Sequence, residues 1–458
     1  MRQYPLDVSE RNDNFSIWDA KQQEVIPACR IEPSSAVNIS TILQTLITSW
    51  CHFSVKGGGH GREPNDSNSV GGVTIDLDRL TTVQIAPNGE SARVGGGADL
   101  TESYTALQAR NLSFVGGRVG TVGVGGFTLG GGTSPFANRN GWALDNVYEY
   151  EVVLANGTIT TASEEQNPDL YFALRGGGNN FGIVTAFTIR TFPSIPIYRG
   201  AVAYSDNQTE SVLDGVHDLF TNPEKTSDLD VGYDMYYQYN QNADQFVMAG
   251  TQWYNAPVTR PAVFEQLNRI PAIRNAGSVQ TMSQSVTSGG PLGTVRHVFG
   301  TLTTLPSRPF LSQAVAIFKE EVNSVKEVQG LAPNLICYAL PARTIGLMAQ
   351  RGGNALGIES DGPLLIWLIS SGWSSADGDT AIDIMTANVA NRMEKAAKAL
   401  EVHHPYKYIN YASATQAPGI YEGYGGKNLR RLINVQKAVD PRGIFTSQGL
   451  WKGFMKLI

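Results

Sequence analysis

The chain carries a glycine-rich run that reads Gly116-Gly117-Arg118-Val119-Gly120-Thr121-Val122-Gly123-Val124-Gly125-Gly126, and Gly130-Gly131-Gly132 follows it. Residues 116 to 132 include nine glycines. So many glycines cost backbone entropy on folding, and that cost is tolerable where the main chain must lie against a large planar or charged ligand. The run therefore predicts a loop that binds such a ligand.

Two further glycine-rich turns lie outside this run. One reads Val55-Lys56-Gly57-Gly58-Gly59-His60-Gly61, and the other reads Leu174-Arg175-Gly176-Gly177-Gly178-Asn179-Asn180-Phe181-Gly182-Ile183-Val184-Thr185. Successive backbone N–H groups in a loop of the first kind form a concave anion site that suits a pyrophosphate. The flanking glycines leave the ring of His60 accessible, so this histidine is interpreted as a ligand or a covalent attachment point.

The composition is that of a globular enzyme. The 458 residues are too many for one ordinary core and indicate two domains. A net charge of −6 without a basic stripe argues against nucleic-acid binding, and no apolar run reaches the roughly 18 residues that span a bilayer. Signatures of Rossmann dinucleotide sites, phosphate loops, zinc peptidases and serine hydrolases are absent. The scattered histidines predict no metal site.

The spacing of hydrophobic residues predicts two patterns of secondary structure along the chain, with a change near residue 197. The first part alternates strands and helices, with a helix over 36–49, strands over 53–55 and 72–77, a helix over 99–110, and a hairpin of 148–154 and 159–162 around Asn156-Gly157. The second part contains strands such as 246–253 and 363–370 and helices such as 310–328 and 380–400. This second part predicts a sheet that is covered by helices.

Together the three glycine-rich segments resemble the berberine bridge enzyme-like FAD-linked oxidases, which have the vanillyl-alcohol oxidase (PCMH-type) flavin fold. The segments and the triplet Asp145-Asn146-Val147 stand in the family's order. The tail Tyr408-Ile409-Asn410-Tyr411 and the later Asp440-Pro441 with Phe445 match as well. Gly141-Trp142 is similar to the fungal branch of the family.

The resemblance implies an α+β fold in two parts. A PCMH-type FAD-binding domain of two α/β subdomains would span residues 1–195 and be completed by 415–458. Residues 196–414 would form a substrate domain in which helices cover an antiparallel sheet. The FAD would be bonded through its 8α methyl group to His60. The other residues expected to contact it are Lys56, Gly57, Gly58, Gly59, Gly61, Arg62, Gly117, Val119, Gly120, Thr121, Val122, Gly123, Gly125, Gly126, Phe127, Gly131, Ile183, Val184 and Asn410.

Four positions deserve separate interpretation. Val119 stands where many relatives have a cysteine that forms a second bond to the flavin, so no cysteinyl link is expected here. Phe127 stands where relatives often have histidine. Arg62 replaces a tyrosine of some relatives and is a candidate for holding an anionic substrate or a charge at flavin N1. Val122 matches the position that governs dioxygen access, and valine is similar to the members that use oxygen.

Oxidation of a substrate by flavin also needs a group that accepts a proton. The resemblance makes Tyr411 the expected base, with Tyr408 as the alternate and Arg62 as a third candidate in the catalytic set. Strand alternation would place Tyr408 and Tyr411 on opposite faces. A nearby cation would have to favour the phenolate of the base, and Arg62 is a candidate. Weaker candidates for the roof of the site are Tyr338, Glu359 and Trp367.

The predicted function is oxidation of a small organic molecule, for example a fungal secondary metabolite, by covalent FAD with dioxygen as the acceptor. The alternatives are a redox-neutral isomerase or cyclase, a carbohydrate oxidase, and a redox-silent flavin-binding protein. The sequence does not identify the substrate. It does not fix the oligomeric state either, although a monomer is slightly favoured.

Six Asn-x-Ser/Thr sequons predict a secreted glycoprotein whose leader is absent from this chain, with a cytoplasmic protein as the alternative. They start at Asn14, Asn38, Asn65, Asn111, Asn156 and Asn207. Three cysteines form neither a metal site nor a disulfide framework. A bridge between Cys29 and Cys51 and buried free thiols both stay open.

Overall fold

The computed structural model describes Phe15, residues 17–286 and residues 292–458. The polar segment Met1–Asp13 and the sequon at Asn14 lie outside the described residues. The described strands form sheets of three, five and eight strands, and Leu112–Ser113 pairs with Phe192–Pro193. The predicted α+β class is confirmed. Within the described ranges, no helix combines the length and apolar character needed to cross a membrane.

The first sheet is parallel and carries the histidine loop. Its strands, in spatial order, are Cys29–Ile31, Val73–Asp76 and Phe53–Lys56. Helix Ala36–Thr48 begins at Ser35, which caps it, and its apolar residues pack against Phe53 and Ile75. The spacing of its hydrophobic residues every three or four positions predicts this packing. The helix predicted over 36–49 and the strand over 53–55 are therefore confirmed.

The second sheet is antiparallel. In spatial order its strands are Val83–Ile85, Ser91–Gly95, Ile183–Arg190, Val147–Val153 and Ile159–Ser163. The predicted hairpin is confirmed, and Gly157 adopts the positive φ of 82° that its turn requires. Helix Leu100–Gln108 begins with a capping box between Asp99 and Glu102. The strand Ile183–Arg190 starts beside the third glycine run and lies at the centre of this sheet.

The third sheet contains eight described strands and is antiparallel throughout. Their spatial order is Arg274–Gln280, Ile197–Ser205, Gln245–Tyr254, Val231–Asn240, Ala332–Leu340, Leu364–Trp373, Arg296–Thr304 and His403–His404. One face is covered by the helices Thr209–Thr221, Arg308–Asn323 and Asp379–Ala399, which share a hydrophobic core with it. The predicted sheet with helices on it is confirmed, and the opposite face is left to form the site.

Shorter helices lie between these elements. They are Ala20–Gln23, Val124–Leu129, Ala137–Asn140, Pro168–Leu174, Pro223–Thr226, Glu265–Asn268, Met282–Ser285 and Ala342–Leu347. After helix Gly426–Val439, Asp440 accepts hydrogen bonds from the backbone of Ile444 and Phe445. Trp451 then pairs beside Phe53 on the first sheet. The end of the chain thus packs on its beginning, while the domain boundaries near 195 and 415 stay a prediction.

The cysteines and sequons are distributed over these elements. Cys29, Cys51 and Cys337 are free thiols, so the structure contains no bridge between the first two. The sequon asparagines that are exposed are Asn38, Asn111, Asn156 and Asn207, and Asn65 is half-buried.

Candidate active site

A cavity of about 560 Å³ lies between the three glycine-rich segments and the open face of the eight-stranded sheet. This size falls within the roughly 300–1,000 Å³ typical of small-molecule and cofactor sites. Residues 57–62 and most of segments 117–126 and 178–184, which are far apart in sequence, line this cavity together. Strands of the eight-stranded sheet and the tail residues 408–411 form the rest. The fold therefore gathers the predicted motifs at a single place.

Most residues expected from the sequence line this cavity. They are Gly57, Gly58, Gly59, His60, Gly61, Arg62, Gly117, Val119, Val122, Gly123, Gly125, Gly126, Phe127, Ile183, Val184, Tyr408, Asn410 and Tyr411. Four others do not line it: Lys56, Gly120, Thr121 and Gly131. The Lys56 ammonium is instead held by Asp76 and Asp78 at 3.2 and 2.6 Å, so its side chain serves the first sheet.

The two main glycine loops cross back to back at Gly58 and Gly123. A Cβ atom on Gly58 would lie 2.2 Å from the backbone nitrogen of Gly123, and one on Gly123 would lie 2.4 Å from the nitrogen of Gly58. Such distances are far below van der Waals contact, so only glycine allows this approach. The crossing fixes the histidine loop against the loop that contains Thr121.

The ring of His60 borders the cavity and has a defined orientation. Its Nε2 atom lies 2.9 Å from Thr121 Oγ1, and its face stacks on Trp18 with ring centroids 4.8 Å apart. Burial, followed by the charges of His297 and Arg62, lowers the pKa of His60 to about 3. The imidazole is therefore neutral at ordinary pH. Because Thr121 engages Nε2, Nδ1 is the ring nitrogen left for chemistry.

Trp18 also links His60 to a second histidine that sequence analysis missed. Its indole stacks on His297 with centroids 3.7 Å apart, on top of its contact with His60. Both the backbone nitrogen and Nδ1 of His297 face the buried carboxylate of Asp19, at 2.7 and 3.2 Å. The segment at Trp18 and Asp19 thus joins the histidine loop to strand Arg296–Thr304.

Arg62 is buried and is bound to the main chain of the tail. Its guanidinium donates to the carbonyl oxygens of Ala412 at 2.8 Å and Asn410 at 3.3 Å, and it lies 4.3 Å from the ring centroid of Phe299. Burial lowers its pKa, against the opposing charge of Asp66. These contacts make Arg62 a residue that positions the tail.

The tail forms a short 3₁₀ helix, Ile409–Tyr411, so the strand alternation expected there is wrong. Tyr408 and Tyr411 consequently both border the cavity, with ring centroids 4.7 Å apart. The hydroxyl of Tyr408 accepts hydrogen bonds from Gly132 N and Asn410 Nδ2, each at 3.0 Å, and burial raises the pKa of Tyr408. Tyr411 is only half-buried. Its placement suits proton transfer better than that of Tyr408.

Arg118 is a charged side chain of the cavity wall that sequence reasoning missed. Its Nε donates to Asp234 at 2.8 Å and its Nη1 donates to Thr133 at 3.2 Å. Burial lowers the pKa of Arg118, but the charge of Asp234 and then the phenol of Tyr411 raise it above its ordinary value. Arg118 therefore lies close enough to Tyr411 for the two side chains to interact electrostatically. The sequence offered one signal for Arg118, namely an arginine inside a glycine-rich run. Its ion-pair partner Asp234 could not be predicted, because Asp234 lies on a strand far away in sequence.

The open face of the eight-stranded sheet forms the roof. Tyr338 lines it as suggested, whereas Glu359 and Trp367 do not. Glu359 is exposed to solvent. Trp367 lies in the core on the opposite face, edge-on to Phe310 at 5.5 Å, because neighbouring residues of a strand point to opposite sides. The roof residues that sequence analysis missed include Arg199, Asp234, Tyr236, Thr251, Trp253, Phe299, Ile336, Leu368 and Ser370.

Comparisons with known proteins agree with this arrangement. Residues 27–163 match the family model described as an FAD binding domain. The FAD-dependent monooxygenase tpcD of Cochliobolus heterostrophus is 34% identical over 97% of this chain and 88% of its own length. Among solved structures, 6-hydroxy-D-nicotine oxidase of Arthrobacter nicotinovorans superposes with a TM-score of 0.77 at 19% identity, covering 94% of this chain and 93% of that one.

A second solved structure is glucooligosaccharide oxidase of Acremonium strictum, whose FAD is described as 6-S-cysteinyl and 8α-N1-histidyl. It has a TM-score of 0.74 and 21% identity, and covers 97% of this chain and 94% of that one. These solved structures establish the fold, and the fungal relative establishes the family. The chain is thus a member of the FAD-dependent oxidoreductases with the vanillyl-alcohol oxidase (PCMH-type) fold, the group that includes the berberine bridge enzyme-like oxidases and fungal FAD-dependent monooxygenases.

Proposed function

We propose that this protein binds FAD through a single covalent bond from His60 Nδ1 and uses it to oxidise a small organic substrate with dioxygen as the acceptor. The observation that carries the proposal is the neutral imidazole of His60 at the edge of the glycine-lined cavity. An unprotonated ring nitrogen is the form of the imidazole that would hold the flavin covalently at its 8α carbon. Thr121 occupies Nε2, which favours Nδ1 as the point of attachment.

The residues present suit the cofactor. A Cβ atom on Gly126, which lines the cavity, would meet no protein atom within 4 Å, so the absence of a side chain there leaves room that a ligand can fill. The same wall offers backbone from three glycine segments. Val119 also faces the cavity, and an aliphatic side chain cannot form a thioether. This supports one histidyl link in place of the histidyl and cysteinyl links named for glucooligosaccharide oxidase.

Bound FAD supplies the acceptor for a hydride, and the protein supplies position and proton transfer. In our proposal Tyr411 takes the proton from the substrate at the cavity wall, and Arg118 is a cation close to it. Tyr408 holds the tail through Gly132 and Asn410. Arg62 fixes the same tail from the other side. A positioned base of this kind contributes about 10²–10⁴-fold to a rate.

Oxygen insertion is the second candidate function, because the fungal relative tpcD is named a monooxygenase. Both functions need dioxygen near the flavin, and the modest side chain of Val122 in the cavity wall supports its access. Hydrogen peroxide formation without oxygen in the product would indicate an oxidase. Product that incorporates labelled oxygen would indicate a monooxygenase. Unchanged mass without oxygen uptake would indicate the redox-neutral isomerase or cyclase.

We further propose that residues 1–195 and 415–458 hold the cofactor and that residues 196–414 form the substrate wall. The return of Trp451 to the first sheet supports this division. Secretion and glycosylation also stay proposals. They are supported by the exposure of Asn38, Asn111, Asn156 and Asn207, and mass spectrometry of the secreted protein before and after glycan removal tests them.

The covalent bond has a direct test. The purified protein is precipitated in acid, and the flavin absorbance of pellet and supernatant is measured. We expect the colour to stay with the unmodified polypeptide and to be lost from it in His60→Ala. His52→Ala is the matched control, since His52 is exposed and lies outside the cavity lining. Free flavin released from the unmodified protein would contradict the proposal.

A further inference from the structure

Among the described residues, the roof of the cavity contains buried polar atoms without a hydrogen-bond partner, and besides the phenol oxygen of Tyr338 two of them belong to charged side chains. One is Asp234 Oδ1, and the other is Arg199 Nε. Both residues line the cavity, and only 1% of Asp234 is exposed. Buried polar groups in folded proteins are nearly always paired, because an unmet donor or acceptor is costly. An unpaired acceptor and an unpaired donor at one cavity wall therefore indicate a ligand that supplies both partners.

The two atoms belong to one patch, since Trp253 contacts both residues. The indole nitrogen of Trp253 donates to Asp234 Oδ2 at 2.7 Å, and the Arg199 guanidinium lies 5.3 Å from the ring centroid. Trp253 is also the direct cross-strand neighbour of Arg199 and pairs with Gly232, two residues before Asp234. We call Arg199, Asp234 and Trp253 the roof subsite. Its three residues lie on strands of the eight-stranded sheet, and Arg118 of the glycine-rich run contacts it through Asp234.

The charges of the roof subsite restrict what it can bind. Asp234 Oδ2 already accepts hydrogen bonds from Arg118 and Trp253, so the carboxylate charge is compensated. With Arg199 added, one negative and two positive groups are present, which disfavours a cationic amine. A neutral hydroxyl matches the open atoms, because its hydrogen can donate to Asp234 and its oxygen can accept from Arg199.

We propose that the roof subsite binds a hydroxyl group of the substrate, so that the enzyme acts on hydroxylated compounds and not on amines or plain hydrocarbons. This rests on the proposed function, because it places the substrate in the cavity shared with Tyr411. Arg118 touches Asp234 and acts electrostatically on Tyr411, so the subsite adjoins the reacting centre. Phe299, Ile336 and Leu368 supply apolar roof for the carbon skeleton.

The test measures binding to the flavin-loaded protein through changes in the flavin absorbance spectrum. The probes are meta-hydroxybenzyl, meta-methoxybenzyl and meta-(aminomethyl)benzyl alcohol, which keep one ring and alcohol but change the second group. A hydrogen bond to a charged group predicts that the hydroxy probe binds roughly tenfold to hundredfold tighter than the methoxy probe. The amine should bind more weakly than the hydroxy probe. Equal binding of hydroxy and methoxy probes, tighter binding of the amine, or no binding of the hydroxy probe overturns the inference.

Asp234→Asn provides the second measurement. Arg118 and Trp253 both donate toward this side chain, so the carboxamide oxygen should face them and leave its NH₂ at the open position. The preference for hydroxy over methoxy should then fall to about one. Asp230→Asn is the matched control, since Asp230 pairs with Arg139 outside the cavity lining, and it should keep the full preference. An unchanged preference in Asp234→Asn overturns the inference. If the purified parent protein lacked the yellow colour of flavin, the proposed function itself would be rejected. The failure of the inference and the failure of the proposed function are therefore distinguishable.

Discussion

Removal of the Thr121 hydroxyl should slow covalent attachment of the flavin without removing it. Thr121 Oγ1 lies 2.9 Å from His60 Nε2. When Nε2 carries the proton and donates to Thr121, Nδ1 keeps the free electron pair that would hold the flavin. The hydroxyl can also donate to Nε2 once Nδ1 is substituted, because a threonine hydroxyl is both donor and acceptor. In Thr121→Val neither interaction exists.

The size of the effect follows from the value of one hydrogen bond. A neutral hydrogen bond in a protein contributes about 0.5–1.5 kcal/mol net. If that energy is what favours the Nδ1-reactive tautomer, its loss slows attachment roughly 2- to 13-fold at 25 °C. The imidazole itself stays neutral, since its low pKa of about 3 arises first from burial and then from His297 and Arg62, not from Thr121.

The assay starts from protein produced under riboflavin limitation and mixed with FAD. Samples are precipitated in acid at intervals, and the flavin retained by the polypeptide gives the rate of attachment. Thr121→Ser keeps a hydroxyl at the same position and should react at nearly the parent rate. The reasoning is refuted if Thr121→Val reacts as fast as the parent protein, or if peptide mass spectrometry and NMR place the flavin on Nε2.

Three further predictions concern the loops, the base and pH. Gly58→Ala forces a Cβ to 2.2 Å from the backbone of Gly123 and should lower the free energy of unfolding in urea by about 1–3 kcal/mol. Gly126→Ala should leave the stability of the FAD-free protein unchanged and impair FAD binding. Equal urea midpoints for the two FAD-free variants would contradict this prediction. Tyr411→Phe should slow anaerobic flavin reduction about 10²–10⁴-fold and Tyr408→Phe much less, and the reverse order in stopped-flow traces would exclude Tyr411 as the base. The pKa of His60 falls from about 6.5 in the unfolded chain to about 3 in the folded protein. The buried neutral imidazole therefore contributes fully to the stability of the FAD-free protein above pH 6.5, and this contribution is lost as the pH falls toward 3. By pH 5 the loss in the free energy of unfolding is on the order of 2 kcal/mol. His60→Gln should therefore lose less stability than the parent between pH 7 and pH 5.

Local patterns predicted the parts of the fold that repeat regularly. The helix Ala36–Thr48 has an apolar residue every three or four positions, and the hairpin at Gly157 has a turn sequence of known geometry. The strand Val231–Asn240 was not among the named predictions, although one of its faces, residues 231, 233, 235, 237 and 239, is buried and the other is mostly half-buried. Tyr233 and Tyr237 face the helices and Asp234 faces the cavity, and the alternation alone does not show what the second face will line.

The tail shows why side-chain direction could not be predicted. Tyr408 and Tyr411 lie three residues apart, and a strand would place them on opposite faces. The tail forms a 3₁₀ turn, in which residues three apart lie on the same side, and both tyrosines border the cavity. The bonds that hold this turn come from Arg62 and Gly132, which are distant in sequence.

The sequence by itself determined the family, the FAD cofactor and the glycine loops that line the cavity, because bare glycine loops and the histidine between them are local features with a local physical cause. Tertiary structure alone decided which charges meet. It paired Arg118 with Asp234 from 116 residues away, brought Arg118 near Tyr411, and left one atom each of Asp234 and Arg199 open at the roof. Electrostatic partners act through space, and the register of antiparallel strands sets which side chains come within that reach.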